Sequence, residues 1–411
     1  MNYSNIDKCR FCDSELTDII HFGDDFPLAG GFLRSEKEFV NEKTYPLTLV
    51  FCIKCCLLQC KEYIHSDMLF KQGYFYYSSM IPMLKKHFNE YAATLASIYP
   101  NTRETTIIEI GCNDGVLLRP LKERGFNVIG VDPSDTVKEC VNNNFTIYNT
   151  YFNEETAKQI VKNHGQCDVF LSSNSFAHIN DMKSIMNGIK LVVKDNGLII
   201  IEVHYSKTII DELQFDFIYH EHMSYYNVTS FYNIAQLFGM SLEDVEFTKI
   251  HGTSIRVYLR NTPNIPISDK LSQIINNEKP YTNLDIYRKF NSDLKQWKNQ
   301  ILTTLQQFQH KKIYGYGSSG RTNIIIRYLD LHLDELIDDA PSKIGSYTPI
   351  YHKCIKSSQC IIDNPPDVII ILAWAYSYDI IANLKKIYNG KIIIPLPDIT
   401  VLDIGDNYIN Q

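Results

Sequence analysis

Two Cys-x-x-Cys pairs, Cys9/Cys12 and Cys52/Cys55, dictate how this chain begins. Two such knuckles offer four sulfurs tetrahedrally to one Zn²⁺ and leave no open position, so the metal they imply is structural rather than catalytic. A redox pair or buried free thiols are the bland readings, and two matched pairs at this separation argue against both. Cys56 and Cys60 are read as non-ligands. A small metal-stapled module of turns and short strands is therefore expected to about Asp67. The odd total of eleven cysteines, clustered rather than evenly spread, indicates a reducing compartment.

Beyond residue 104 the pattern changes. Apolar strands expected at 106–110, 127–131, 168–171 and 197–203 alternate with amphipathic stretches, which predicts a parallel sheet covered by helices. A helix at 231–238 and two strand-like runs, 241–248 and 254–260, would close that sheet with an antiparallel pair. Polar residues interleaved with helix-spaced Leu, Ile and Phe over 262–310 predict helices joining two bodies. The strand-helix rhythm then restarts at 312–315, 335–337, 368–372 and 391–394. The fold class expected is α/β in three domains: a zinc-binding module at 1–67, a Rossmann-like domain at 68–262, and a helical connector with a second Rossmann-like domain at 263–411.

A net charge of −7 gives no field for a polyanion, so no nucleic-acid partner is expected. No apolar run approaches the roughly 18 residues that a membrane span requires, and Met1-Asn2-Tyr3-Ser4 does not open a secretory signal. A cytoplasmic protein without membrane contact follows as the expectation. No heptad seam is visible, so the oligomeric state stays open and a monomer suffices.

Three further motifs carry chemistry. The strand 107–110 runs into Gly111-Cys112-Asn113-Asp114-Gly115 and a helix over 116–124, with Asp132 closing the next strand about 20 residues on, placed for ribose hydroxyls. Neither GxGxxG nor GK[ST] occurs in this turn, which favours S-adenosylmethionine over a dinucleotide or a P-loop nucleotide. Glu109, Gly111, Asn113, Asp114, Gly115, Asp132 and Asn174 are the cofactor candidates. The bland reading is a glycine turn with a capping Asp132.

The second motif is the titratable run Tyr219-His220-Glu221-His222, just past the strand 197–203. Chemistry in open α/β sheets gathers at the carboxyl ends of strands. Tyr219 shares a face with His222 if the run turns helically and with Glu221 if it is extended, and the sequence does not choose. His suits a general base, with Glu221 available to fix its tautomer. The bland reading is a packed aromatic loop. The third motif, Gly315-x-Gly317-x-x-Gly320-Arg321 with Asp338 ending the next strand, matches a dinucleotide fingerprint, so an NAD(P)-dependent ketoreductase is the rival reading. Its helix start with Arg321 suits any diphosphate, while the bland reading is tight helix-on-sheet packing.

Taken together these residues resemble the sugar C-methyltransferases, three-domain enzymes that methylate a ring carbon of a nucleotide-linked keto-deoxysugar. The resemblance runs over nearly the whole chain: the zinc knuckles, Pro27-Leu28-Ala29, Tyr45-Pro46-Leu47, Tyr74-Phe75-Tyr76-Tyr77-Ser78-Ser79, Gly111-x-Asn113-Asp114-Gly115, Phe176-Ala177-His178-Ile179, Tyr219 to His222, Gly252-x-Ser254-x-Arg256-Val257, Lys343 to Pro349 and Leu372-Ala373-Trp374. It implies structural Zn²⁺ on Cys9, Cys12, Cys52 and Cys55, S-adenosylmethionine in a class I methyltransferase domain, and a nucleotide sugar, by expectation dTDP-linked, between the middle and C-terminal domains. Three departures stand out: Arg321 where the family commonly has Lys, Cys112 where Ser is frequent, and Ile350 where a Gly often follows the Pro.

A carbon beside a ketone becomes nucleophilic only as its enolate, so a base and an oxyanion stabiliser are both required. His222 is expected as base, with Glu221 orienting it or a neighbour, Tyr219 and His178 at the keto oxygen or relaying protons, and Tyr76 reaching the same cleft. Tyr74, His220, Gly317, Ser318 and Arg321 are the substrate-side candidates. A catalytically silent sugar-nucleotide-binding protein is the non-enzymatic alternative.

Overall fold

The computed structural model describes residues 3–70, 77–142, 144–248, 250 and 253–404. Its central sheet has seven strands in the order Ser241–Thr248, Ser254–Arg260, Val193–His204, Cys167–Ser173, Thr106–Ile110, Asn127–Val131 and Thr146–Tyr148. The last five run parallel, and Ser254–Arg260 pairs antiparallel with both of its neighbours. Unbroken β-branched runs explain the parallel core: Ile107, Ile108, Ile199, Ile200 and Ile201 are fully buried because helices cover both faces. Strand order reverses between Thr106–Ile110 and Cys167–Ser173, which opens a crevice at their carboxyl ends.

The C-terminal sheet has six strands, Ile355–Lys356, Glu335–Ile337, Ile313–Tyr316, Val368–Ile371, Lys391–Ile394 and Thr400–Asp403, parallel except for the last. The connector is dominated by the helix Asp285–Gln306, which buries Tyr287, Phe290, Leu294, Trp297, Ile301 and Leu305 at three- and four-residue spacing. Trp297 donates Nε1–H to the Pro395 carbonyl at 2.8 Å, tying the helix to the C-terminal body.

The N-terminal sheet, Thr17–Pro27, Thr44–Cys52 and Leu57–Cys60, has a fourth strand that the sequence had assigned entirely to the middle domain. Ser224–Tyr225 leaves the Rossmann body and pairs antiparallel with Gln59 and Leu58. Two residues carry too little periodicity to announce a strand, and the pairing is set by a neighbour distant in sequence. One apolar core accordingly runs from Leu47, Leu49 and Phe51 through Phe215 and Tyr225 to Trp297 and the C-terminal strands.

Candidate functional site

The four knuckle sulfurs lie within 4.8 Å of one another. A tetrahedron with Zn–S bonds of about 2.3 Å has edges of about 3.8 Å. The Cys9–Cys55 and Cys12–Cys52 sulfur separations are 3.9 and 3.5 Å, so the donor set fits zinc without rearrangement. Cys56, in a left-handed conformation, and Cys60, whose Sγ lies 3.5 Å from the Tyr219 carbonyl, stand outside the cluster.

At the central crevice the cofactor candidates divide. Asp132 directly follows the strand Asn127–Val131, with Oδ2 accepting the Asn113 N–H at 2.9 Å and Oδ1 accepting the Ser134 N–H at 2.8 Å. Asn113 Oδ1 accepts from Ser78 N–H at 3.0 Å and the Asp114 carboxylate from Ser79 N–H, so both side chains hold the chain entering the helix Pro82–Ile98. The glycines also serve neighbours: a Cβ at Gly111 would sit 2.3 Å from Ser175 Cβ, and one at Gly115 2.8 Å from Cys140 Sγ. Close approach by protein, with positive φ at both, explains these glycines without a ligand. Two acceptors remain uncommitted. Glu109 Oε2 and Asn174 Oδ1 are buried without a hydrogen-bond partner, and burial pushes the Glu109 carboxyl well above the usual carboxylate range. Unpaired acceptors at the ends of adjacent strands, beside Asp132, fit the amino and hydroxyl groups of S-adenosylmethionine.

The run 219–222 folds as a turn. His222 N–H donates to the Tyr219 carbonyl at 2.9 Å, and the Tyr219 hydroxyl lies 3.0 Å from His222 Nε2 with the rings stacked. His222 Nδ1 donates to the Phe217 carbonyl at 2.9 Å. This fixes the tautomer with hydrogen on Nδ1 and leaves a basic lone pair on Nε2, to which Tyr219 donates. The group orienting His222 is therefore the Phe217 carbonyl and not Glu221, whose own contact with a neighbouring histidine runs through its backbone carbonyl. Glu221 turns away to accept Gly30 and Ala29 N–H at 2.9 and 3.4 Å, and burial raises its pKa. Its carbonyl accepts His178 Nδ1 at 2.6 Å. Burial lowers the His178 pKa, so a neutral imidazole stands 5.1 Å from the His222 ring.

His220 does not face substrate. It is fully buried, donates Nε2–H to the Pro46 carbonyl at 2.8 Å, and desolvation lowers its pKa to about 4. Tyr74 and Tyr76 lie outside the described residues. No sequence motif marks His204, the last residue of its strand, whose ring is 5.2 Å from His222 and 4.5 Å from Phe217. Its place at a strand's carboxyl end was the available signal.

The glycine motif is occupied by protein. Gly317 N–H donates to the Ile337 carbonyl, Ser318 N–H to Asp338 Oδ2, and Ser319 and Thr322 cap one another. Asp338 also receives Ala340 N–H and Lys343 Nζ. A Cβ at Gly320 would lie 3.0–3.2 Å from Ala29, because the 28–31 turn packs on the helix start. Arg321 pairs with the fully buried Asp216 through Nε and Nη2 at 2.9 and 2.8 Å and stacks on Phe217 at 3.7 Å. Arg321 and the helix start thus form a junction between bodies, while Ser318 Oγ is buried without a hydrogen-bond partner. Trp374 completes the junction, donating Nε1–H to Asp216 Oδ2 at 2.9 Å.

Comparison with known proteins agrees with this layout. Three family models match in order: a zinc binding domain over residues 9–70, a methyltransferase domain over 83–245, and a C-methyltransferase C-terminal domain over 249–397. The C-methyltransferase NovU of Streptomyces niveus is 28% identical over 409 residues, 97% of each chain. Among solved structures, magnesium protoporphyrin IX methyltransferase from Synechocystis PCC 6803 with bound SAH aligns at 14% identity and TM-score 0.34, covering 43% of this chain and 82% of that one. A SAM dependent methyltransferase from Archaeoglobus fulgidus aligns at 16% identity and TM-score 0.34, covering 42% and 94%.

Proposed function

Given that the chain belongs to the S-adenosylmethionine-dependent C-methyltransferases with an N-terminal zinc module, we propose that it methylates a ring carbon of a nucleotide-linked 4-keto-deoxysugar, with dTDP as the carrier, through an enolate. The observation that carries this reading is the Tyr219–His222 pair at 3.0 Å, with His222 held by the Phe217 carbonyl. When bound, S-adenosylmethionine supplies an electrophilic methyl group.

His222 Nε2 takes the proton from the carbon adjacent to the ketone, and the electron pair of that C–H bond moves onto the keto oxygen. Tyr219 transfers its hydrogen bond to that oxygen as charge develops there. His178, neutral and close by, adds no competing positive charge as His222 becomes a cation. Glu109 and Asn174 hold the cofactor's polar groups, with Asp132 at its ribose. Among the described residues no helix is long and apolar enough to cross a membrane. Eleven unpaired cysteines suit a cytoplasmic site of action.

The test is mass spectrometry of dTDP-4-keto-6-deoxysugars incubated in D₂O. Deuterium uptake without cofactor, and a gain of one methylene mass with it, are expected, and His222→Asn should remove both. A panel in which neither change occurs, while cofactor still binds, would rule out this substrate class.

A further inference from the structure

We propose that Gln59 and Arg10 are positioning residues through which the metal-thiolate cluster holds the Tyr219–His222 turn in place. Gln59 is fully buried in the strand that pairs with Ser224–Tyr225, directly opposite Ser224. Its Nε2 donates to the ligand sulfur of Cys9 at 3.4 Å, while its Oε1 accepts the Arg10 N–H at 3.2 Å. Arg10 Nη1 continues the path, donating to the Cys60 carbonyl at 2.9 Å and to the Met223 carbonyl at 3.3 Å. Met223 directly follows His222 and is pinned from its other side by N–H donation to the Ala177 carbonyl at 2.7 Å. Cys60 N–H also donates to the Met223 carbonyl at 3.1 Å.

Charge gives an independent reason for the arrangement. Arg10 is only 7% exposed, yet its guanidinium partners are all neutral: the Gln59 amide, two carbonyls and Asn180 Oδ1. A buried cation without a counter-charge is costly. Zn²⁺ with four thiolates carries a net charge of about −2, and Cys9 is Arg10's immediate neighbour in sequence. A loaded cluster, reached from Arg10 through Gln59, would supply charge of the opposite sign. Loss of the metal frees Cys9 and with it Gln59, which loosens Arg10 and its bond to the Met223 carbonyl. The module then has a specific task beyond its own folding: it supplies the sheet on which the catalytic turn is laid as an edge strand.

The substitution Gln59→Met keeps volume and deletes both amide contacts. Four quantities are read on the full chain: zinc per chain by thiol-triggered release, S-adenosylmethionine affinity by calorimetry, hydrogen exchange of a peptide spanning 219–226, and kinetics. Zinc content and cofactor affinity should stay within about twofold, while exchange of 219–226 accelerates and kcat falls about tenfold or more at little-changed KM, the range seen for outer-shell partners of a metal site. Should Gln59→Met fail to fold, the wild-type chain treated with a zinc chelator decides: 219–226 must lose protection before the peptide spanning 106–116 does. Unchanged exchange of 219–226 after zinc removal, or simultaneous loss across both peptides, overturns the coupling. The kinetic readout rests on the enolate reading of Tyr219 and His222; exchange does not, so failure of one is distinguishable from failure of the other.

Discussion

Removing Arg321 separates two readings of the glycine motif by stability rather than by activity. In Arg321→Ala, Asp216 keeps Trp374 Nε1–H as a partner for Oδ2 while its Oδ1 already has none, in a position with no exposure. Leaving one member of a buried ion pair uncompensated costs about 3–5 kcal/mol. The guanidinium also sits 3.7 Å from the Phe217 ring and 4.8 Å from Trp374, contacts worth about 1–2 kcal/mol that overlap with the first figure and do not simply add. A loss of about 4 kcal/mol is a large share of the 5–15 kcal/mol typical of a domain. Urea unfolding followed by tryptophan fluorescence is the natural assay, because the chain has two tryptophans and Trp374 is in the cluster itself. The double variant Arg321→Met/Asp216→Leu should regain most of the loss, since both charges are then gone. If Arg321→Ala instead costs less than about 1 kcal/mol, as exposed pairs do, while dTDP affinity collapses, Arg321 is a phosphate ligand and the junction assignment is wrong.

The His220 imidazole gives a pH signature: its pKa falls from 6.5 to about 4 on folding. The unfolded chain therefore binds the extra proton, and stability is lost as pH drops from about 6.5 towards 4, by up to about 3 kcal/mol for this one group; His220→Asn should flatten that part of a denaturant midpoint-versus-pH curve, and an unchanged slope would refute it. Ile350 stands at φ +63°, in the left-handed region that favours glycine, and is held there by Glu42 accepting its N–H at 2.7 Å. Ile350→Gly relieves about 1–2 kcal/mol of left-handed strain against about 0.5–1 kcal/mol of added chain entropy, so thermal melting should shift upward slightly, and a fall would show that the half-buried side chain matters more. Glu278 caps the helix Val228–Leu237 from the connector, accepting Val228 and Thr229 N–H and the Tyr205 hydroxyl; Glu278→Ala should cost about 2–3 kcal/mol in the same unfolding assay.

The sequence by itself determined whatever depends on residues adjacent in the chain or repeating with a fixed period. The zinc ligands could be read because tetrahedral thiolate coordination needs two close pairs, and their sulfurs do converge. The strands 106–110, 127–131 and 391–394 could be read because β-branched runs bounded by turn residues have few other uses. Proximity of Tyr219 and His222 was one of two local options, decided by the turn that bonds His222 N–H to the Tyr219 carbonyl. Partners remote in sequence belonged to the tertiary structure alone. Glu221 could not be seen turning from His222 to the Gly30 N–H, nor Arg321 turning to the Asp216 carboxylate, because each partner lies more than 100 positions away. The same holds for the strand Ser224–Tyr225, too short for any periodic signal, which the N-terminal sheet recruits by offering unpaired backbone groups that must be satisfied once buried.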